Sequence, residues 1–198
     1  MKRRVGIYGG TFDPVHMGHL LMAEEAVERL RLDRLVFLPA GRPAHKRDRS
    51  ITPATHRVAM LKLAVRGNPR FEVSSLEAMR DGVTYTVQSL EWFAKRGDAE
   101  LFFVMGQDSL EEFRTWRDPD RILALARLAV VPRGEGDGDL PSLDATVRRR
   151  VVFLKPPRIE IASSEIRRRL GRRRTVRYWV PDPVLAYIRR HGLYGPRR

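Results

Sequence analysis

The most concentrated chemistry in the chain lies in one run near its start, Gly9-Gly10-Thr11-Phe12-Asp13-Pro14-Val15-His16-Met17-Gly18-His19. Adjacent glycines let a backbone approach a ligand with its N–H groups exposed, and a helix beginning near Gly18 would point its positive end at the same place, so the run reads as an anion site. His16 and His19 lie three residues apart, which puts both imidazoles on one side of a starting helix, each able to donate a hydrogen bond to a phosphoryl oxygen where charge accumulates. The plainer alternatives are a histidine pair in a loop and a zinc site lacking its third ligand. A second run, Ile161-Ala162-Ser163-Ser164-Glu165-Ile166-Arg167, has the same character. Serine at a helix start, the exposed N–H groups behind it and an arginine able to grip phosphate with two N–H groups make another anion site, though a capped surface helix would look the same. Cysteine is absent, so thiolate nucleophiles and Cys-bound zinc are excluded, and neither a Lys-Ser/Thr phosphate loop nor a Gly-x-Gly-x-x-Gly run occurs.

The apolar pattern supplies elements to hold these runs. Val5 to Tyr8 is a short apolar run ending at Gly9-Gly10, which fits a buried strand closed by a tight turn. Leu20, Leu21, Ala23, Ala26, Val27 and Leu30 then recur at helical spacing. Further strands are expected at Leu35 to Leu38, Phe71 to Ser74, Leu101 to Met105, Leu128 to Val131 and Val151 to Leu154. Helices are expected at Ala54 to Val65, Tyr85 to Lys95, from Ser109, and at Pro119 to Ala126. After residue 157 the chain becomes helical, with Ser163-Ser164 capping Glu165 to Leu170 and Pro183 starting a helix through Arg190 that Gly192 ends. Strands alternating with helices predict an α/β fold, a Rossmann-like doubly wound parallel sheet. Such sheets bind ligands beyond the C-terminal ends of their strands, where Gly9-Gly10 and Gly106 fall. One domain over residues 1–198 is expected, a core of 1–157 carrying a small helical part over 158–198.

The Gly10 to His19 run resembles the T/HxGH signature of the nucleotidyltransferase superfamily, and Ile161 to Arg167 resembles that superfamily's ISSTxIR element, with Ala162 and Glu165 where Ser and Thr are common. Leu38 to Lys46, Thr84 to Leu90, Met105 to Leu110, Trp116, Val131 to Arg133 and Leu185 to Tyr194 are similar to blocks of the bacterial nicotinate-nucleotide adenylyltransferases, in order and over essentially the whole chain. One departure is Ala44, where that family commonly has a second proline. The resemblance implies transfer of AMP from ATP to nicotinate mononucleotide, giving deamido-NAD and pyrophosphate as a step of NAD biosynthesis, with Mg²⁺ carried on the ATP phosphates and no dedicated protein metal site. It also implies roles. His16 and His19 meet the ATP phosphates, with Gly9, Gly10, Thr11 and Phe12 making backbone contacts beside them. Ile161, Ser163, Ser164 and Arg167 hold the departing pyrophosphate, Lys46 meets phosphate, and Gly106 and Asp108 contact the adenosine. On the mononucleotide side stand Asp13, His45, Lys46, Thr84, Tyr85, Thr86, Trp116 and Arg133. Trp116 would stack on the pyridine ring, its alternative being a core tryptophan, and N–H donors of Thr84 to Thr86 at a helix start would select a carboxylate over an amide. Other members of the superfamily, pantetheine-phosphate adenylyltransferases and cytidylyltransferases, are the nearest enzymatic alternatives.

The net charge of +14 first suggests a polyanion, but its distribution narrows that. Residues 148–198 hold 16 basic and three acidic residues, so the first 147 are nearly neutral. ATP and nicotinate mononucleotide are the expected partners. Nucleic acid is not, because one tail arginine already has a phosphate role and the others read as a solvated helix face. A homo-oligomer is compatible with this composition. No apolar run approaches the ~18 residues that span a bilayer, and the segment before Gly9 is too short for a signal-peptide core, so no membrane partner and a cytoplasmic location are expected.

Overall fold

The computed structural model describes residues 2–41, 51–80, 82–132, 143–155, 157 and 159–196. Six strands form one parallel sheet: β1 (Arg3–Gly10), β2 (Arg34–Pro39), β3 (Phe71–Val73), β4 (Ala99–Gly106), β5 (Ala126–Val131) and β6 (Val151–Phe153). Their spatial order is β3-β2-β1-β4-β5-β6. The helices are α1 (Met17–Arg29), α2 (Ala54–Ala64), α3 (Thr86–Ala94), α4 (Gln107–Glu111), α5 (Pro119–Leu125), α6 (Ala145–Arg150), α7 (Ser163–Gly171) and α8 (Asp182–Arg190). The chain winds outward from β1 in one direction and from β4 in the other, and these two strands are neighbours, with Tyr8 in register with Val104. Their shared C-terminal edge is therefore the switch point of the winding, the place where a doubly wound sheet opens a crevice.

Both faces of the sheet are covered, as the strand alternation requires. Tyr8, Leu35, Phe37, Phe102 and Val104 point into one apolar layer, completed by Ala23, Ala26 and Val27 of α1, Met60 and Leu61 of α2, Ile166 of α7 and Val184, Leu185 and Ile188 of α8. Val5, Ile7, Val36, Leu38, Leu101, Phe103 and Met105 point into the other, with Val87 and Leu90 of α3 and Ile122 and Leu123 of α5. The helices after residue 157 thus share the core of the first half.

Three local expectations change. Gly9 and Gly10 are the last two residues of β1 and form no turn; a Cβ on Gly9 would lie 2.7 Å from the Phe103 ring and one on Gly10 2.8 Å from the Phe12 ring. Close approach of aromatic rings demands glycine here, and the left-handed residue that turns the chain is Phe12, at φ 50°. Helix α7 starts at Ser163, with Ala162 as its N-cap and no side-chain cap. The Ser163 hydroxyl donates instead to the Pro14 carbonyl at 2.9 Å, a long-range contact no local pattern announces. The strands also run beyond their apolar cores; β1 and β4 begin at Arg3 and Ala99. At the end of α8 the expected glycine stop is present: Gly192 is left-handed, and Leu193 N–H reaches back to the Ile188 carbonyl at 3.0 Å.

Candidate active site

The loop between β1 and α1 lies at the switch point, held from three directions. Arg57 of α2, only 1% exposed, donates to the carbonyls of Thr11 (2.8 Å), Thr52 (2.8 Å) and Gly41 (3.0 Å). From α7, Arg167 donates to the Asp13 carbonyl at 2.6 Å and Ser163 to that of Pro14. From beyond α8, the Tyr194 hydroxyl donates to Asp13 Oδ1 at 2.6 Å. The loop delivers His16 to the N-cap of α1 and His19 to its first turn. Their rings stack at 3.7 Å between centroids, so the expected convergence of the two histidines is present. His16 N–H donates to His19 Nδ1 at 3.3 Å, which leaves the neutral His19 ring carrying its proton on Nε2.

His16 is buried, and its Nδ1 has no hydrogen-bond partner among the described residues. Burial lowers its pKa from the ordinary 6.5 to about 4, so the ring is neutral at pH 7 and offers a hydrogen bond rather than a charge. That shift has a signed consequence for stability. The unfolded chain takes up the proton first, so the contribution is whole above about pH 6.5 and is lost as the pH falls toward about 4. Urea unfolding at pH 7 and pH 5 should show wild type losing about 2 kcal/mol that a His16→Gln protein does not lose. Equal losses in the two proteins would remove the buried neutral imidazole from the account.

A cavity of about 710 Å³ opens beside this loop. Its lining includes Gly9, Gly10 and Thr11 at the end of β1, Thr84, Tyr85 and Thr86 at the start of α3, Asp108 of α4, and Trp116. Tyr85 is the N-cap of α3 and no side chain caps that helix, so its first N–H groups stand at the cavity. Trp116 unites the two alternatives open for it: it lines the cavity and also packs steeply on Phe103 (6.0 Å, 82°) and against Phe113 (5.8 Å). Gly106 is the N-cap of α4, ahead of Asp108, and Ile161 packs against the apolar layer beneath α1. Ser164 is exposed in the first turn of α7. Asp13, expected on the mononucleotide side, is bonded within the protein. It is 5% exposed, and both carboxylate oxygens are taken by the protein, Oδ1 by Tyr194 and Oδ2 by the Thr52 N–H at 3.2 Å. His45, Lys46 and Arg133 lie outside the described residues.

Residues without a motif complete the wall. Glu77, buried at the cavity, accepts from Ser89 Oγ at 2.6 Å and Thr84 Oγ1 at 3.2 Å. Burial pushes its pKa up, partly offset by the two hydroxyls. With Thr84 donating to Glu77, the start of α3 is tied down from below. Arg117 lies over the Tyr85 ring at 4.8 Å, placing a cation at the same rim. Among the described residues no three His, Asp or Glu side chains converge as a metal cage.

The model of the cytidylyltransferase-like family matches residues 7–169. A probable nicotinate-nucleotide adenylyltransferase of Thermomicrobium roseum is 51% identical over 195 residues, covering 96% of this chain and 91% of the relative. The chain belongs to the nicotinate-nucleotide adenylyltransferase family. Another member, from a Roseiflexus species, is 44% identical over 96% of this chain and 97% of its own. Among solved structures, the Plasmodium falciparum nicotinic acid mononucleotide adenylyltransferase complexed with NaAD superposes with a TM-score of 0.78, covering 97% of each chain at 18% identity. At that identity the likeness speaks for the fold, and it does so over the α7–α8 region as well as the sheet. Family membership makes the chain a nucleotidyltransferase.

Proposed function

We propose that the protein transfers AMP from ATP to nicotinate mononucleotide, releasing pyrophosphate and deamido-NAD. The observation that carries this is the cavity itself, which runs across the switch point from the Gly9 to Thr11 backbone to Thr84, Tyr85, Thr86 and Trp116. The lining joins that backbone to a flat ring in one space, while His16, His19 and Arg167 are outside the lining, on and against the loop that continues from Thr11.

In the reaction a phosphate oxygen of the mononucleotide bonds to the α-phosphorus of ATP while the bond to the bridging oxygen breaks and pyrophosphate departs. No protein nucleophile is needed, and the protein works by alignment and by stabilising charge where it develops. His19 Nε2–H and His16 donate to phosphate oxygens, and a bound oxygen supplies the partner that buried His16 Nδ1 lacks. Arg167, already tied to the Asp13 carbonyl by one N–H, presents the rest of its fork to the leaving group beside the α7 N–H groups. Gly106 and Asp108 take the adenosine. The Ser163 hydroxyl, committed to Pro14, acts by holding α7 to the loop, and Ser164 contributes through its backbone. Mg²⁺ bound to the ATP phosphates would supply charge neutralisation, and the described residues form no carboxylate cage for it. His45, Lys46 and Arg133 are assigned to the mononucleotide side.

Selection of the acid follows from the start of α3. A carboxylate accepts from N–H donors and is favoured by the helix dipole, whereas an amide places its own N–H groups against them. The decisive measurement is pyrophosphate release from Mg-ATP with nicotinate mononucleotide, nicotinamide mononucleotide or phosphopantetheine. The expected order is strong turnover with the first, a kcat/KM at least about tenfold lower with the second, the size of one good polar discrimination, and none with the third. Equal rates with acid and amide would remove the α3 selection, and turnover only with phosphopantetheine would overturn the substrate.

A further inference from the structure

We infer that Tyr194 is a positioning residue for the phosphate loop, acting through Asp13. The inference rests on the adenylyltransferase reading for what the loop does, and on geometry alone for the contact. Asp13 sits between the strand-end glycines and the histidine pair, and each of its polar atoms described above meets a different part of the chain. Its carbonyl takes Arg167, its Oδ2 takes the Thr52 N–H, and its Oδ1 takes the Tyr194 hydroxyl at 2.6 Å. Tyr194 reaches this place because the chain reverses after α8. Gly192 and Tyr194 are both left-handed, at φ 60° and 62°, and a tyrosine in that region is held there by its surroundings. The ring packs against the apolar layer under α1, so the hydroxyl arrives pre-aimed.

The consequence is a division of labour at Arg167. Its first N–H bonds the Asp13 carbonyl, so the orientation of Asp13 sets the orientation of the fork that faces the leaving group. If Asp13 Oδ1 loses its partner, a buried carboxylate oxygen is left unsatisfied, and the loop must shift to find water. His16 and Arg167 move with it. Small displacements of aligned groups carry large kinetic effects. Tyr194 is not among the residues lining the cavity, and the prediction is confined to binding and alignment at the loop.

The test compares Tyr194→Phe with Tyr187→Phe in the full chain. Tyr187, on α8, bonds His56 Nδ1 at 2.9 Å and helps dock the same helix without touching the loop. Both variants remove one hydroxyl, and thermal midpoints measure how far each loosens the docking. Tyr194→Phe should weaken Mg-ATP binding by calorimetry and lower kcat/KM for ATP, each about tenfold, the worth of one charge-assisted hydrogen bond. Tyr187→Phe should leave both within about twofold, since surface-side changes away from the site rarely couple to it. Asp13→Asn, which weakens the same bond from its other end, should match Tyr194→Phe, and the double variant should be no worse than either. The inference falls if Tyr194→Phe binds Mg-ATP like wild type, if Tyr187→Phe reproduces the loss, or if the two latch variants add fully. A wild-type protein that binds Mg-ATP but releases no pyrophosphate with the mononucleotide would overturn the proposed function and leave the latch to be judged by calorimetry.

Discussion

A His19→Ala protein should fold and bind nicotinate mononucleotide yet lose about 10²- to 10³-fold in kcat, the usual cost of removing one preorganised donor from a developing oxyanion. The stacked geometry and the His16 N–H bond to Nδ1 fix both the tautomer and the direction of His19, so no other side chain of α1 can replace it. Part of the loss has a structural origin, since His19 also satisfies an otherwise orphaned N–H at the start of α1, worth about 1 kcal/mol. Single-turnover pyrophosphate release, set beside urea unfolding of the same protein, separates the two. An unchanged kcat would sink the assignment of the histidine pair.

The largest effect on stability is expected at Arg57. Replacement by alanine strips three partly buried carbonyls of their donor and leaves a void where the buried guanidinium stood. Burial lowers the Arg57 pKa while Asp13 and Tyr194 oppose that shift, so the charge is costly to bury and is held by its partners. Breaking such a set costs roughly 3 to 5 kcal/mol, a large share of the ~5 to 15 kcal/mol that holds a domain together. A fall of at least about 10 °C in thermal midpoint should follow. Arg57→Lys should recover little, because one ammonium cannot serve three carbonyls in a plane. Arg57→Ala unfolding within about 1 kcal/mol of wild type would contradict this account.

How much of this was legible beforehand depends on the range of the contact. Strand β4 is announced by five apolar residues from Leu101 to Met105, and α1 by its apolar spacing and its histidines, because these signals are local. The loop before α1 and the start of α7 were likewise marked by residue types and spacing. Arg57, Glu77 and Tyr194 were not. Arg57 meets Thr11 across 46 positions and Tyr194 meets Asp13 across 181, and nothing in the neighbouring sequence marks such partners. The same blindness put Ser163 in a helix cap. The basic tail was legible in number and not in use. Arg168 pairs with Glu165 at 2.6 Å, Arg169 lies over Trp179 at 4.7 Å and bonds the Thr175 carbonyl, and Arg150 bonds that of Leu123. Several of the surplus charges are thus part of the fold's own bonding.

The contact between Asp13 and Tyr194 also sets a schedule. Residue 13 leaves the ribosome long before residue 194 exists, and at ~5 to 20 residues per second the interval is roughly 10 to 40 seconds. For that time β1 and β2 can pair, but the phosphate loop lacks its hydroxyl clasp and its arginine from α7. A nascent chain therefore holds most of a sheet while the loop after β1 lacks both anchors. The loop gains its full set of anchors only when the turn after α8 folds back onto the end of β1.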